Sequence, residues 1–254
     1  MTSQPSPSES SGPVPAAGNV PPSVPGASGG TDVAPTPRWG IPTAIGSLLG
    51  FVVLSFAVSL GLTALGVDPV TATIIATPVG WLSLAGVPLL ASRRRGNGPR
   101  SDLALSFSPV DIAVGLVACL VVLLAATIIL LVTIAATGVT PTSALGDVAG
   151  HANSHWQVVA LAVMALCAAF VEEIHFRGMW WSALRRRGLG AWPTLLVTAV
   201  LFALVHLEPT RVVLLFAAGL AAGYVRMRSD RLGPAIVTHL LVNLLAAVSL
   251  LGLL

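Results

Sequence analysis

Long apolar runs follow one another from residue 40 to the end of this chain, separated by short polar segments. A helix needs about 20 apolar residues to cross a bilayer, so most of these runs can span a membrane. Only 9% of the residues are charged, against about 25% in a soluble domain. We therefore predict an all-α polytopic transmembrane helix bundle of about seven spans. The runs cover residues 40–66, 70–92, 109–137, 156–184, 191–207, 212–228 and 233–254.

Residues 1–39 differ from the rest of the chain because proline, serine and glycine dominate them. Such a segment cannot bury enough apolar surface to offset the entropy lost on ordering, so we predict a disordered cytoplasmic tail. The remainder divides into N-terminal transmembrane helices, residues 40–137, and a second group of helices, residues 156–254. Only the second group carries acidic residues well inside an apolar run.

The arginines predict the orientation of the bundle. The chain has no lysine, so its formal charge of +3 depends on 13 arginines. Arginine and lysine collect in cytoplasmic loops, and seven spans with the N-terminus inside place every arginine except Arg177 and Arg211 on that side. The basic charge therefore follows from the orientation of the chain in a lipid bilayer, and no nucleic-acid partner is needed to explain it. An arginine-only chain with short loops is typical of a bacterial plasma-membrane protein with its N-terminus in the cytoplasm.

Ionisable side chains inside the apolar runs are the exception to this pattern. Burying a charged group at the centre of a membrane costs about 2.5–3.5 kcal/mol on insertion scales, so such groups usually face a bundle interior and serve function. A functional site is therefore the first hypothesis for these residues. They are Glu172, Glu173, His175, Arg177, His206 and His239.

Helical spacing separates these side chains into faces, because residues four apart lie on one side of a helix. Glu173 and Arg177 have this spacing, and we interpret them as a structural ion pair. Glu172 is rotated by about 100° from Glu173 and is free to meet other helices. Two further pairs have the same spacing, Phe202 with His206 and His239 with Asn243.

The rise along each helix predicts that Glu172, His206, His239 and Asn243 share one layer of the bundle. In a hydrolytic site, Glu172 would take a proton from a water held by His206, while His239 and Asn243 donate to an oxyanion. Alternatively, Glu172, His206 and His239 form a set of two histidines and one glutamate that binds catalytic zinc. No HExxH sequence is present to favour the second interpretation.

Three ordered motifs resemble a known family. The segments "EEIHFRG", "FALVH" and "HLLVN" are similar to the EExxxR, FxxxH and HxxxN motifs of the CPBP family, the CAAX-protease and bacteriocin-processing (Abi) intramembrane endopeptidases. The resemblance covers about residues 156–254 and implies a CPBP-type intramembrane protease core. One position departs from the pattern, because His175 stands where the family usually has an aliphatic residue. We interpret His175 as a hydrogen-bonded packing residue, and the alternative is that it tunes Glu172 from three residues further along the helix.

The resemblance also implies roles for individual residues. Glu172 would activate water with the help of His206, and His239 with Asn243 would stabilise the oxyanion. Glu173, Arg177 and Phe202 would support the site. The family is often described as metalloproteases, although its glutamate-dependent mechanism does not need a metal, so a divalent ion such as zinc stays an alternative.

Two functions from different classes follow from these residues. The first is an intramembrane endopeptidase that hydrolyses a membrane-associated peptide or protein substrate. The alternative is a catalytically silent membrane scaffold, or a carrier of protons or small solutes, that uses the same polar layer. Carriers often contain inverted repeats, and the sequence has no convincing repeat. We also expect Trp180, Trp181 and Trp192 to anchor the bundle at a membrane surface.

Overall fold

A computed structural model describes residues 36–252 of the chain. Within that range every regular element is a helix, which confirms the all-α prediction. The predicted disordered tail lies outside the described residues except for residues 36–39, of which Trp39 is buried. The helices are α1 (Ile41–Ala64), α2 (Pro69–Leu84), α3 (Gly86–Arg95), α4 (Pro99–Asp102), α5 (Val110–Thr137), α6 (Ala144–Gly150), α7 (His155–Glu173), a π-helical segment (Ile174–Trp180), α8 (Trp181–Arg186), α9 (Ala191–Val205), a 3₁₀ turn (Pro209–Arg211), α10 (Val212–Ser229) and α11 (Gly233–Leu250).

Within residues 36–252, six helical stretches are long and apolar enough to cross a membrane, rather than the seven predicted. The difference lies in α9, which has 15 residues and is therefore about 22 Å long. The apolar core of a bilayer is about 30 Å thick. The helix nevertheless runs from the end of the bundle that holds Arg186 to the opposite end, because Arg226 at the end of α10 returns to the same groove as Arg186. The six stretches are Ile41–Ala64, Pro69–Arg95, Val110–Thr137, His155–Arg186, Pro209–Ser229 and Gly233–Leu250.

The second stretch is interrupted at Ala85, between α2 and α3. Pro88 lacks the backbone N–H that a continuous helix would donate to the carbonyl of Leu84. The hydroxyl of Ser47 in α1 lies against this break and donates to the Ser83 carbonyl at 2.8 Å, with the Leu84 carbonyl at 3.4 Å. A polar side chain of α1 therefore compensates for the broken ladder in α2.

The helices pack in pairs around the polar layer. α1 lies against α2, α9 lies against α10, and α11 contacts both α5 and α7. A Cβ atom on Gly219 of α10 would meet backbone and side-chain atoms of Ala199 at 3.1–3.3 Å. Glycine at this position therefore permits the close approach of α9 and α10. Apolar side chains such as Leu49 and Phe56 of α1 remain exposed, as expected of surfaces that face lipid.

The arginine clusters lie at one end of the bundle. Arg186 and Arg226 line the same surface groove as Asp102. Arg186 donates to the Trp39 carbonyl at 3.2 Å, and Trp39 donates its indole N–H to Asp102 at 3.1 Å. Segments distant in the sequence therefore bring their arginines together, as the charge-based orientation requires. The assignment of this end to the cytoplasm stays a prediction.

Candidate active site

The helix that carries the paired glutamates changes its winding immediately after them. α7 ends at Glu173, and the segment Ile174–Trp180 continues as a π-helix before α8 begins. A π-helix closes its hydrogen bonds between residues five apart, and such insertions often occur at functional sites. Every side chain from His175 to Trp180 is buried.

Glu172 lies between two imidazole rings. Its Oε2 atom is 3.8 Å from Nε2 of His206 and 3.8 Å from Nε2 of His239. His206 is the first residue beyond α9, and its Nδ1 atom lies 2.6 Å from the carbonyl oxygen of Phe202. Because that carbonyl can only accept, Nδ1 carries the hydrogen, and the Nε2 lone pair of neutral His206 faces Glu172. Two acceptors at this separation leave room for a water that donates to both.

One carboxylate oxygen of Glu173 contacts nitrogen atoms of two other side chains. Its Oε1 accepts from Nη1 of Arg177 at 2.7 Å and lies 2.9 Å from Nδ1 of His239. Glu173 and Arg177 are both fully buried, and Arg177 also donates to the Gly219 carbonyl at 3.0 Å. The residue spacing in the sequence predicts only the contact of Glu173 with Arg177. The contact with His239 is an addition, because it depends on how α11 is rotated against α7.

Asn243 lies one turn beyond His239 on α11 and lines the same cavity. Its Nδ2 atom donates to the carbonyl of Ala165 on α7 at 2.8 Å. An amide nitrogen carries two hydrogens, so one of them remains for a further acceptor. The bond to α7 fixes the orientation of the carboxamide.

Phe202 packs at the centre of the polar layer. Its ring centroid lies 4.6 Å from the guanidinium carbon of Arg177 and 4.6 Å from the ring of His206. The ring of His239 meets it edge to face at 5.7 Å. Phe202 therefore contacts both histidines and the arginine, and it stabilises the cation through its π-face.

A partly open cavity of about 620 Å³ connects these groups, and apolar side chains form most of its wall. Glu172, His206, His239 and Asn243 all reach it. A second polar pair lies elsewhere on its wall, where Glu208 accepts from Arg211 at 2.6 Å and from the backbone N–H of Ala144 at 2.8 Å. Mostly apolar walls with a few convergent polar groups are typical of sites that bind apolar ligands. All four residues predicted as catalytic from the sequence, Glu172, His206, His239 and Asn243, therefore line one cavity.

The spacing of the residues proposed as zinc ligands differs from that of a formed zinc site. Among residues 36–252, no group of three or more histidine, cysteine, aspartate or glutamate side chains is arranged to hold a metal ion. Four ligands at about 2.0–2.1 Å in a tetrahedron lie roughly 3.3 Å apart, whereas Glu172 Oε2 is 3.8 Å from each Nε2 atom. We therefore derive no chemical step through a metal. Zinc at Glu172, His206 and His239 stays a prediction from the sequence.

His175 is fully buried and bonded on both ring nitrogens. Trp180 donates its indole N–H to Nε2 at 3.0 Å, and Ser47 Oγ lies 3.4 Å from Nδ1. In an α-helix, residues five apart point about 140° away from each other, so the bond to Trp180 depends on the π-helical winding. Trp180 and Trp181 are buried at 7% and 5% exposure, so the prediction of membrane-surface anchors is wrong for these two residues, whereas Trp192 is exposed.

Replacing Trp180 with phenylalanine should lower the free energy of unfolding by about 1–3 kcal/mol, because it leaves Nε2 of His175 buried without a donor. Adding His175→Leu to that variant should cost less than the sum of the two single changes, since both remove one bond. Denaturant titration in mixed micelles measures both effects. The matched control is Trp192→Phe, because Trp192 is 61% exposed. Equal losses in Trp180→Phe and Trp192→Phe would rule out this bond as a source of stability.

The part of the chain that contains the site is similar to a known protein family. Residues 154–245 match the family model described as type II CAAX prenyl endopeptidase Rce1-like. No curated protein and no solved structure matches the chain. The matched segment runs from α7 through the HxxxN motif of α11, and it confirms the resemblance predicted from the three motifs.

Proposed function

From the similarity of residues 154–245 to Rce1-like endopeptidases, we propose that this protein is an intramembrane endopeptidase that uses a water activated by Glu172 and His206. The observation that carries the proposal is the 3.8 Å separation between Glu172 Oε2 and His206 Nε2, inside a mostly apolar cavity. A water donating both hydrogens to these two acceptors would leave its oxygen lone pairs directed at a substrate carbonyl.

Glu172 then acts as the general base. It takes one proton from the water as the oxygen attacks the peptide carbonyl, and it later gives that proton to the leaving amine. His206 keeps its Nδ1 hydrogen on the Phe202 carbonyl, which fixes the ring and directs Nε2 at the water. The peptide C–N bond breaks, the second proton of the water leaves the new carboxyl group for the released amine, and the products are one carboxylate and one ammonium group.

His239 is proposed as a charged donor to the oxyanion. With its Nδ1 hydrogen on Glu173, the ring can donate from Nε2 only as an imidazolium. Two ionised glutamates, Arg177 and this imidazolium sum to zero charge, which is the arrangement that a buried cluster requires. Glu173 is therefore a positioning residue that acts through His239, in addition to its ion pair with Arg177.

Asn243→Ala should lower kcat about 10²–10³-fold with little change in KM, the usual cost of removing one oxyanion donor. The carboxamide is already oriented by the Ala165 carbonyl, so no reorganisation is needed when charge develops. Asn243→Asp serves as the matched variant, because it keeps the shape but replaces the donor with an acceptor. A rise in KM at constant kcat would show that Asn243 binds the ground state instead.

The substrate class follows from the cavity. A space of about 620 Å³ with mostly apolar walls accepts a short apolar stretch of peptide, and lipid-facing helices surround it. We propose a membrane-associated peptide or protein substrate, in a bundle whose arginine-rich end faces the cytoplasm of a bacterial cell.

Mass spectrometry of newly formed peptide termini tests this function in membranes from cells that produce the wild-type chain, Glu172→Ala or His206→Ala. We expect termini that occur only with the wild type. Identical termini in all three membranes would contradict the mechanism, and no wild-type product at all would favour the scaffold or carrier. A parallel assay with a zinc chelator should leave the products unchanged. Loss of products there would instead support the zinc set.

A further inference from the structure

A second polar site lies at the arginine-rich end of the bundle, outside the catalytic cavity. It is a surface groove of about 350 Å³ between the start of α4, α8 and the end of α10, and we call it the arginine groove. Three guanidinium groups line it together with two hydroxyl groups. These side chains are Arg185, Arg186, Arg226, Ser101 and Ser182.

Arg226 is the unusual member of this groove. Its side chain is only 7% exposed, and its guanidinium lies 5.4 Å from the ring of Trp181. Its Nε atom donates to the Arg177 carbonyl at 3.3 Å, but Nη1 is buried and has no hydrogen-bond partner among residues 36–252. The carboxylate of Asp230 is 3.8 Å away on a side chain that is 97% exposed. A buried guanidinium nitrogen without a close acceptor requires an explanation, and a bound anion is one that fits its charge.

The charges around the groove favour an anion. Three arginines face two carboxylates, Asp102 and Asp230, which leaves a net positive charge. Asp102 is occupied by the indole N–H of Trp39 and by the backbone N–H of Asn97. Both donors bond to Oδ2, and within residues 36–252 no hydrogen bond or ion pair joins Asp102 to Arg226.

From this geometry we propose that the arginine groove binds a phosphate group. Guanidinium forks match phosphate oxygens bidentately, and serine hydroxyls donate to the remaining oxygens. The groove opens at the end of the bundle where arginines meet the membrane surface, so the phosphate comes either from an anionic lipid headgroup or from free phosphate. Because Arg226 also bonds to the carbonyl of Arg177, the groove is connected to the segment that pairs with Glu173.

The test needs no peptidase activity, so its failure and that of the proposed function are distinguishable. Full-length protein in neutral detergent is titrated with dioleoylphosphatidylglycerol, with inorganic phosphate, or with dioleoylglycerol, at constant ionic strength, while thermal unfolding is followed. We expect phosphatidylglycerol to raise the unfolding temperature and dioleoylglycerol to leave it unchanged. A similar shift with inorganic phosphate assigns the site to phosphate itself, and its absence assigns the site to the lipid headgroup.

Arg226→Gln should weaken the binding at least tenfold, since it removes the buried cation. The matched control is Arg228→Gln, which removes an exposed arginine two residues further along α10 and should change the affinity less than twofold. If Arg226→Gln does not fold, Ser182→Ala should still weaken binding severalfold. No stabilisation by either phosphate probe, or equal losses in Arg226→Gln and Arg228→Gln, would overturn the proposal.

Discussion

Replacing Glu172 with glutamine is expected to slow hydrolysis about 10²–10⁴-fold, the range for a general base. Glutamine keeps the length of the side chain but cannot take a proton from the water shared with His206. The Glu172 side chain is 20% exposed to the cavity and has no short ion pair in the described chain, its nearest imidazole atoms being 3.8 Å away. Because glutamine also removes one negative charge from the cluster with Arg177 and His239, the free energy of unfolding should fall, but by less than the about 3–5 kcal/mol expected for breaking the buried pair of Glu173 and Arg177. Cleavage rates and denaturant titrations on the same preparations measure both.

The matched control for this variant is Glu208→Gln. Glu208 also reaches the catalytic cavity, but it pairs with Arg211 and the backbone of Ala144. Its replacement should leave the rate within a few-fold of the wild type. Equal losses in the two variants would mean that a carboxylate anywhere in the cavity is needed, for example for substrate entry. A wild-type cleavage rate in Glu172→Gln would contradict the assignment of Glu172 as the general base.

The largest effect on stability is expected from Arg177→Met. Arg177 and Glu173 are both fully buried with a 2.7 Å contact, so removing the cation leaves an uncompensated charge inside the bundle. Breaking a buried pair in this way costs about 3–5 kcal/mol. Replacing both partners, as Glu173→Gln with Arg177→Met, should recover much of that loss because no charge is left unpaired. Denaturant titration in mixed micelles gives the free energies.

Arg211→Met provides the control for the arginine substitution. Arg211 also has a 2.6 Å contact with a glutamate, but its side chain is 24% exposed. A pair that solvent can reach contributes about 0–1 kcal/mol. Similar costs for Arg177→Met and Arg211→Met would contradict the interpretation of Glu173 and Arg177 as a buried structural pair. Failure of the double variant to recover stability would point to the lost bond with Gly219 instead.

Much of the fold and of the candidate site could be predicted from local patterns in the sequence. Apolar runs predict helices because each span must satisfy its own backbone in lipid. The spacing of Glu173 and Arg177 predicts their ion pair because both lie on one helix. Contacts between side chains of different helices could not be predicted in this way. The contact between Glu173 and His239 depends on the rotation of α11, and no residue spacing encodes that rotation.

Two further features were missed for different physical reasons. The π-helical winding of Ile174–Trp180 has no period that a sequence displays, so Trp180 looked like a surface anchor although it bonds to buried His175. The length of α9 was overestimated because an apolar run continues past its last helical residue, Val205. Two residues beyond this end, Leu207 has a positive φ of 55°, a conformation that does not continue an α-helix.

The central claim is that Glu172 and His206 act on one water, and a double-variant cycle tests it most directly. Single-turnover cleavage rates are measured for the wild type, Glu172→Gln, His206→Gln and the combined variant, with a substrate identified by terminal profiling. Because either replacement disables the same water, the combined variant should be about as slow as the slower single variant. If the two losses multiply instead, the residues act independently and the shared water is wrong.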